Sequence, residues 1–200
     1  MAGEGAQIGV LGLQGDFAAH GRALERAGAP WRVVKKPGQL IGLAGLIIPG
    51  GESTTLIRLM DFWGFWQPLQ DYAATGGAVF GTCAGMILLA REVVNPSQRS
   101  LGLIDIQVER NSYGRQRDSF EGTGAFFPDG TEQPLEMVFI RAPRILARGP
   151  EVEALGLCRG DCVLARQGRV LVASFHPELT DDPTLHRYFV DLAAEPGPHS

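Results

Sequence analysis

Ala78-Val79-Phe80-Gly81-Thr82-Cys83-Ala84-Gly85-Met86-Ile87-Leu88-Leu89 passes from a short apolar segment, through a Gly-x-Cys-x-Gly bend, into a second apolar segment. Strand, tight bend and helix in that order form the repeating unit of an α/β sheet. The bend has the form of the nucleophile elbow G-x-S-x-G, with cysteine in the place of serine. A side chain on such a bend is pushed into the open in a strained backbone conformation. Its neighbours two residues away on each side must lack bulk, hence Gly81 and Gly85. The amides that open the following helix point at the sulfur and favour thiolate over thiol. Taken alone, a cysteine in a Gly-rich turn reads more simply as a buried structural residue. Two further segments turn the reading towards catalysis.

The first is Ser174-Phe175-His176-Pro177-Glu178. Side chains two apart on an extended segment point the same way, so His176 and Glu178 can meet, with Pro177 stiffening the chain between them. A thiol nucleophile needs a base, and the base needs a group that fixes its tautomer and stabilises its charged form. Cys83, His176 and Glu178 fill those three roles. The second segment is Leu46-Ile47-Ile48-Pro49-Gly50-Gly51-Glu52-Ser53, a strand running into a Gly-Gly turn that opens a helical pattern. Acyl transfer needs amide donors where negative oxygen develops, and Gly51 N–H with Ala84 N–H makes a plausible pair. A phosphate loop would end in Gly-Lys-Ser/Thr, and no lysine follows Gly51.

Around these segments strands and helices alternate. Residues 8–13 read as a strand and 16–28 as a helix opened by the acidic cap Asp16. Residues 31–35 and 46–48 are strand-like, 53–62 helical, with a second helical piece over 65–74, and 78–80 is the strand that feeds the elbow. Beyond residue 100 the pattern is richer in β, at 103–109, 136–140, 162–167 and 170–175. A closing helix covers 183–194, and 195–200 is an acidic-Pro tail expected to be flexible, as are residues 1–6. This order predicts a single domain over 1–200, an α/β fold of three layers with a mainly parallel central sheet and helices on both faces. In such sheets functional residues gather beyond the carboxyl ends of the strands. Gln14, Gly50, Cys83 and His176 all fall just after strand-like runs.

Composition excludes several functions. Of 200 residues 44% are hydrophobic and 20% charged, and the net charge is −4 with no basic run, so nucleic acid is not an expected partner. No apolar stretch approaches the roughly 18 residues of a membrane span. Met1-Ala2-Gly3-Glu4-Gly5 lacks the positive start and apolar core of a signal peptide, so a reducing cytoplasmic setting is expected. Cys158 and Cys162 flank Arg159-Gly160-Asp161, which reads as a hairpin tip. The two thiols can face each other there, closely enough for a disulfide, although reduced thiols are the default in a cytosolic chain. No histidine stands at zinc-ligand spacing with the cysteines, and His20 and His186 read as helix packing or surface.

With these residues in view, the chain resembles the class I, triad-type glutamine amidotransferases, whose fold is flavodoxin-like. More narrowly it resembles the glutaminase subunits of pyridoxal 5′-phosphate synthase. The broad class is carried by Gly81-Thr82-Cys83-Ala84-Gly85 and His176-Pro177-Glu178. The narrower one is carried by Leu13-Gln14-Gly15, Pro49-Gly50-Gly51-Glu52-Ser53-Thr54-Thr55, Glu109-Arg110-Asn111-Ser112-Tyr113-Gly114-Arg115-Gln116 and Phe139-Ile140-Arg141-Ala142-Pro143. The resemblance implies hydrolysis of L-glutamine to glutamate and ammonia through a γ-glutamyl thioester, with no cofactor and no metal. It implies that Gly50, Gly51, Glu52, Arg110, Ile140 and Arg141 line the glutamine pocket. It also implies a heteromeric complex with a TIM-barrel synthase subunit, which switches the glutaminase on when it docks. The chemistry agrees, because an arginine fork suits the α-carboxylate of glutamine, and Glu52 suits either the α-ammonium or the start of a helix. Gln14-Gly15 is a candidate piece of the docking face. The alternatives are a glutaminase subunit serving another amidotransferase, a cysteine peptidase or chaperone-like protein of similar fold, and a non-catalytic scaffold.

Overall fold

Strand β1 (Ile8–Leu11) is the hub of a parallel array completed by β2 (Trp31–Val34), β3 (Gly45–Ile48) and β4 (Ala78–Thr82). The structure, a computed structural model, describes residues 7–110 and 119–197. The expected flexible start at 1–6, the 111–116 part of the Glu-Arg-Asn-Ser block and the last residues, 198–200, lie outside the described residues. Between the parallel strands run helices α1 (Phe17–Arg26), α2 (Ser53–Trp63) and α3 (Trp66–Ala74), and the six-residue α4 (Ala84–Leu89) follows the elbow.

The second half of the chain supplies β5 (Ala90–Val94), β6 (Ile104–Glu109), β7 (Ser119–Phe126), β8 (Gln133–Ile140), β9 (Arg144–Arg148), β10 (Glu153–Cys158), β11 (Asp161–Gln167) and β12 (Val170–Ala173), then helix α5 (Thr184–Ala194). The main sheet has nine strands in the order β2-β1-β3-β4-β12-β11-β10-β7-β8. The five strands from β2 to β12 are parallel, and the four beyond β12 add on antiparallel. A smaller sheet, β5-β6-β9, packs beside α4.

Local chemistry explains the boundaries. Asp16 caps α1, its side chain accepting from Ala19 N–H at 2.8 Å. Gly64 ends α2 with a left-handed φ of 66°, a conformation glycine enters without a Cβ clash. Pro134 sits in β8, at the sheet edge, where its missing N–H costs no ladder bond.

The central strands are apolar on both faces. Leu46, Ile48, Val79 and Val172 join one core with Leu56 and Met60 of α2 and Leu69 of α3. Ile47, Phe80, Leu171 and Ala173 join the other, with Leu24 of α1 and Leu185 and Phe189 of α5. Alternation of this kind, with helices over each face, is the three-layer arrangement expected from the sequence. Each fully buried Leu, Ile or Phe contributes about 1.5–3 kcal/mol, so the two cores fix the sheet between its helices. Among the described residues no helix is long and apolar enough to cross a membrane.

Candidate active site

Four strands that lie side by side, β1, β3, β4 and β12, each deliver one part of the site. Gln14 follows β1, Gly50, Gly51 and Glu52 follow β3, Cys83 follows β4, and His176 follows β12. Cys83 has φ 50° and ψ −104°, a left-handed conformation that costs on the order of 1–3 kcal/mol for a residue with a Cβ. A Cβ on Gly81 would lie 2.6 Å from the carbonyl carbon and oxygen of Gly85, and a Cβ on Gly85 would run into the Ile48 carbonyl oxygen. The elbow therefore tolerates no larger residue at either place. The Cys83 amide donates to the Ala173 carbonyl at 2.8 Å, which ties the elbow to the strand that leads to His176.

His176 Nδ1 lies 2.8 Å from Glu178 Oε1. The ring also faces Cys83, whose sulfur is among the groups that raise the imidazole. A Cβ built on Gly50 would lie 2.6 Å from His176 Cε1 and 3.3 Å from Cys83 Cβ, so Gly50 sits in the cleft between the two. Burial pulls the His176 imidazole down. Its hydrogen bonds to Cys83 and Glu178, and the charges of both, outweigh that pull and raise it to about 10. The buried Glu178 carboxyl is pushed up by desolvation, but the neighbouring His20 and the hydrogen bond and charge of His176 hold it below the usual carboxylate range.

A cavity of about 440 Å³ opens over these groups, lined by Gly50, Gly51, Glu52, Cys83, Arg110, Ile140, Arg141, His176 and Glu178 among others. Of the residues expected to form the triad, the oxyanion pair and the glutamine pocket, Ala84 alone is outside that lining. It is buried at the first position of α4, where its N–H is one of the donors a helix leaves unpaired. Asp16, Ser53, Ile87 and Leu179 also line the cavity. The sequence marks Asp16 only as a helix cap, and Ser53, Ile87 and Leu179 carry no signal of their own. A larger hollow of about 690 Å³, bounded by Leu40, Tyr72 and Arg169, brings no cysteine or histidine together.

Glu52 serves as the cap of α2. Its carboxylate accepts from Thr54 N–H at 3.1 Å, Thr55 N–H at 2.7 Å, both threonine hydroxyls and Arg110 Nη2 at 2.9 Å. The Thr54 side-chain bond and its companions draw the carboxyl down to about 2. The helix-start role open to Glu52 is realised in these contacts. Gln14 Nε2 donates to the Glu52 carbonyl at 2.8 Å and would lie 2.9 Å from a Cβ on Gly51, so Gln14 packs directly on the glycine loop. Arg141 takes a left-handed φ of 46° at the mouth of the cavity.

The disulfide reading at the hairpin tip is corrected. Cys158 pairs with Asp161 and Cys162 with Leu157, and the two thiols enter opposite cores, Cys158 with the α1–α5 face and Cys162 with the α2–α4 face. Both cysteines are free, as the reduced default expects.

The fold is that of the class I glutamine amidotransferases. A glutamine amidotransferase known from its crystal structure, 47% identical, superposes with a TM-score of 0.87 over 94% of this chain and 99% of that one. The chain belongs to the SNO glutamine amidotransferase family, which matches residues 10–195. It is 53% identical, over 94% of its length and 96% of the relative's, to the pyridoxal 5′-phosphate synthase subunit PdxT of Geobacillus thermodenitrificans. It is 51% identical to the same subunit of Deinococcus radiodurans, over 94% and 97% of the two chains.

Proposed function

We propose that the protein is a single-domain glutaminase that releases ammonia from L-glutamine for pyridoxal 5′-phosphate synthesis. The relatives named as synthase subunits, together with the family, support the pathway. The observation that supports the chemistry is the 2.8 Å pairing of His176 with Glu178 beside Cys83, in a cavity that also holds Arg110 and Arg141.

The thiolate of Cys83 bonds to the side-chain amide carbon of glutamine while the carbonyl electron pair moves onto oxygen. Gly51 and Ala84 amides receive that oxyanion. The intermediate collapses, the C–N bond breaks, and His176 gives its proton to the departing nitrogen, which leaves as ammonia. A γ-glutamyl thioester remains on Cys83. His176, now neutral, takes a proton from water; the hydroxide adds to the thioester, the thiolate is expelled and glutamate leaves. Glu178 holds the ring and balances its charge throughout. Arg110 and Arg141 present donors to the α-carboxylate of the substrate.

Ammonia is protonated and lost in bulk water, so the product is useful only if delivered to an acceptor enzyme in the same complex. That partner is the TIM-barrel synthase subunit, and the setting is the cytoplasm. Gln14 links the surface to the Gly50-Gly51 loop, and glycine peptides reorient with little steric cost. Docking against Gln14 is therefore suited to setting the oxyanion donors. The test measures glutamate and ammonia release from glutamine with and without the synthase subunit, beside a generic peptide substrate. Glutamate release that rises with the synthase and vanishes in Cys83→Ala supports the proposal. Equal turnover in Cys83→Ala, or cleavage of the peptide alone, overturns it.

A further inference from the structure

Behind the triad stand two buried histidines that the mechanism above does not use. His20 on α1 and His186 on α5 are both fully buried, with His20 Nδ1 3.0 Å from His186 Nε2. The far nitrogen of His20, Nε2, lies 3.4 Å from Glu178 Oε2 and 3.3 Å from Thr82 Oγ1 at the end of β4. Glu178 Oε2 is buried and has no hydrogen-bond partner among the described residues, His20 standing only at ion-pair distance from it, while Oε1 is taken by His176. The carboxylate is thus held between two imidazoles.

The proton positions follow from donor and acceptor chemistry. A carboxylate only accepts, so the nitrogen of His20 that faces it carries the hydrogen. In a neutral ring Nδ1 is then bare, and His186 Nε2–H donates to it. That leaves His186 Nδ1 bare as well, and this atom has no hydrogen-bond partner among the described residues. The opposite assignment would set a lone pair of His20 against the carboxylate and strand an N–H of His186 in the apolar core beside Phe80 and Phe189, the costlier choice.

We propose that His20, with its tautomer locked by His186, is a positioning residue of the glutaminase: it donates to the second oxygen of Glu178 and so fixes the carboxylate that holds His176. The relay then runs from His186 through His20, Glu178 and His176 to Cys83. It rests on the reading of this site as a glutaminase and extends it by two residues.

The surroundings keep the relay neutral beyond Glu178. Burial is the largest influence on His20, with Glu178 and Asp16 acting against it and His176 alongside it, and the ring is held below its ordinary range. Burial likewise takes His186 down to about 3, aided by His20 and Arg26 and opposed by Glu178. A neutral donor steadies Glu178 without competing with His176 for its charge.

The variant His20→Leu keeps an apolar side chain in the core and removes the donor, while His20→Gln keeps an N–H near the same place. Two readouts are taken across pH: glutaminase kcat and KM with the synthase present, and alkylation of Cys83 by iodoacetamide, followed on its own peptide by mass spectrometry. The alkaline limb of the glutaminase profile is expected to move down by about one unit in His20→Leu, and the acid limb of alkylation, which reports the thiolate, to move up by a similar amount, with KM within about twofold, and both to return in His20→Gln. If circular dichroism shows His20→Leu to be unfolded, His186→Leu carries the same test. Limbs unmoved in a folded variant, even with lower activity, would reduce His20 to a packing residue and overturn the inference. Alkylation needs neither glutamine nor the synthase. A shifted alkylation limb in a protein that never makes glutamate would therefore sink the glutaminase reading and leave the relay standing.

Discussion

The amide of His176 donates to the carbonyl of Val138 at 2.8 Å, although β8, which carries Val138, stands four places from β12 in the sheet order. The antiparallel half of the sheet therefore curls back on the parallel half. Its edge strand ends at Ile140, which lines the cavity together with the next residue, Arg141. Arg110, at the end of β6, lines it too and is fastened to the cap of α2 through Glu52.

From that arrangement, Arg110→Ala should raise KM for glutamine by about tenfold or more and leave kcat within a few-fold, the value of one charge-assisted bond to a carboxylate. Arg110→Lys should recover little, because the planar fork that serves both Glu52 and substrate is lost. Steady-state kinetics with the synthase present decide it. A large fall in kcat at unchanged KM would instead place Arg110 at the reacting bond.

His176 is raised to about 10 in the folded protein, against about 6.5 when unfolded. Its contribution to stability is complete below about 6.5 and is lost as pH climbs towards 10, because the folded state holds the proton longer. Thermal melts should show Tm falling over that interval in the wild type and falling less steeply in His176→Gln. Parallel slopes for the two proteins would contradict the ion-pair description.

Gly81→Ala should be severe. Its methyl would meet backbone atoms of Gly85 that have no room to retreat, so a loss of about 3 kcal/mol or more is expected in urea unfolding. Gly38→Ala, where an added Cβ meets nothing within 4 Å, is the matched control and should fall within about 0.5 kcal/mol of wild type.

Mild oxidation should not join Cys158 to Cys162. They point into different cores, and burial holds both thiols above their ordinary range, away from the reactive thiolate form. Non-reducing peptide mapping after diamide treatment is the check, and a 158–162 cross-linked peptide would show that the hairpin registers differently.

The sequence reading was strongest where structure is encoded over a few residues. The acidic cap at Asp16, the strand before the elbow, the hairpin tip at Arg159-Gly160 and the closing helix all lie where turn chemistry and periodicity put them. It was weakest in the second half of the chain. Strand β7 holds two glycines and exposes half of its residues, β5 follows α4 without a turn, and β10 is broken at Gly156 by a register shift. None of these shows clean alternation, and β9 was missed with them. Of the smaller sheet only β6, which does alternate, was read.

Within the site, the elbow needed only its own neighbours to be recognised, whereas His176 and Glu178 meet through a 3-10 turn over Pro177–Leu179 rather than along the extended segment expected from their spacing. Sequence by itself thus determined the chemical types present, their order and the strand ends that would carry them. The tertiary structure decided what they meet. It committed Glu52 to the α2 cap, separated Cys158 from Cys162, brought β8 round to His176, and set His20 and His186 behind Glu178. Those outcomes depend on strand order and on the face each side chain enters. They are settled by the packing of residues as far as 166 positions apart, as His20 and His186 are, and no local pattern encodes that.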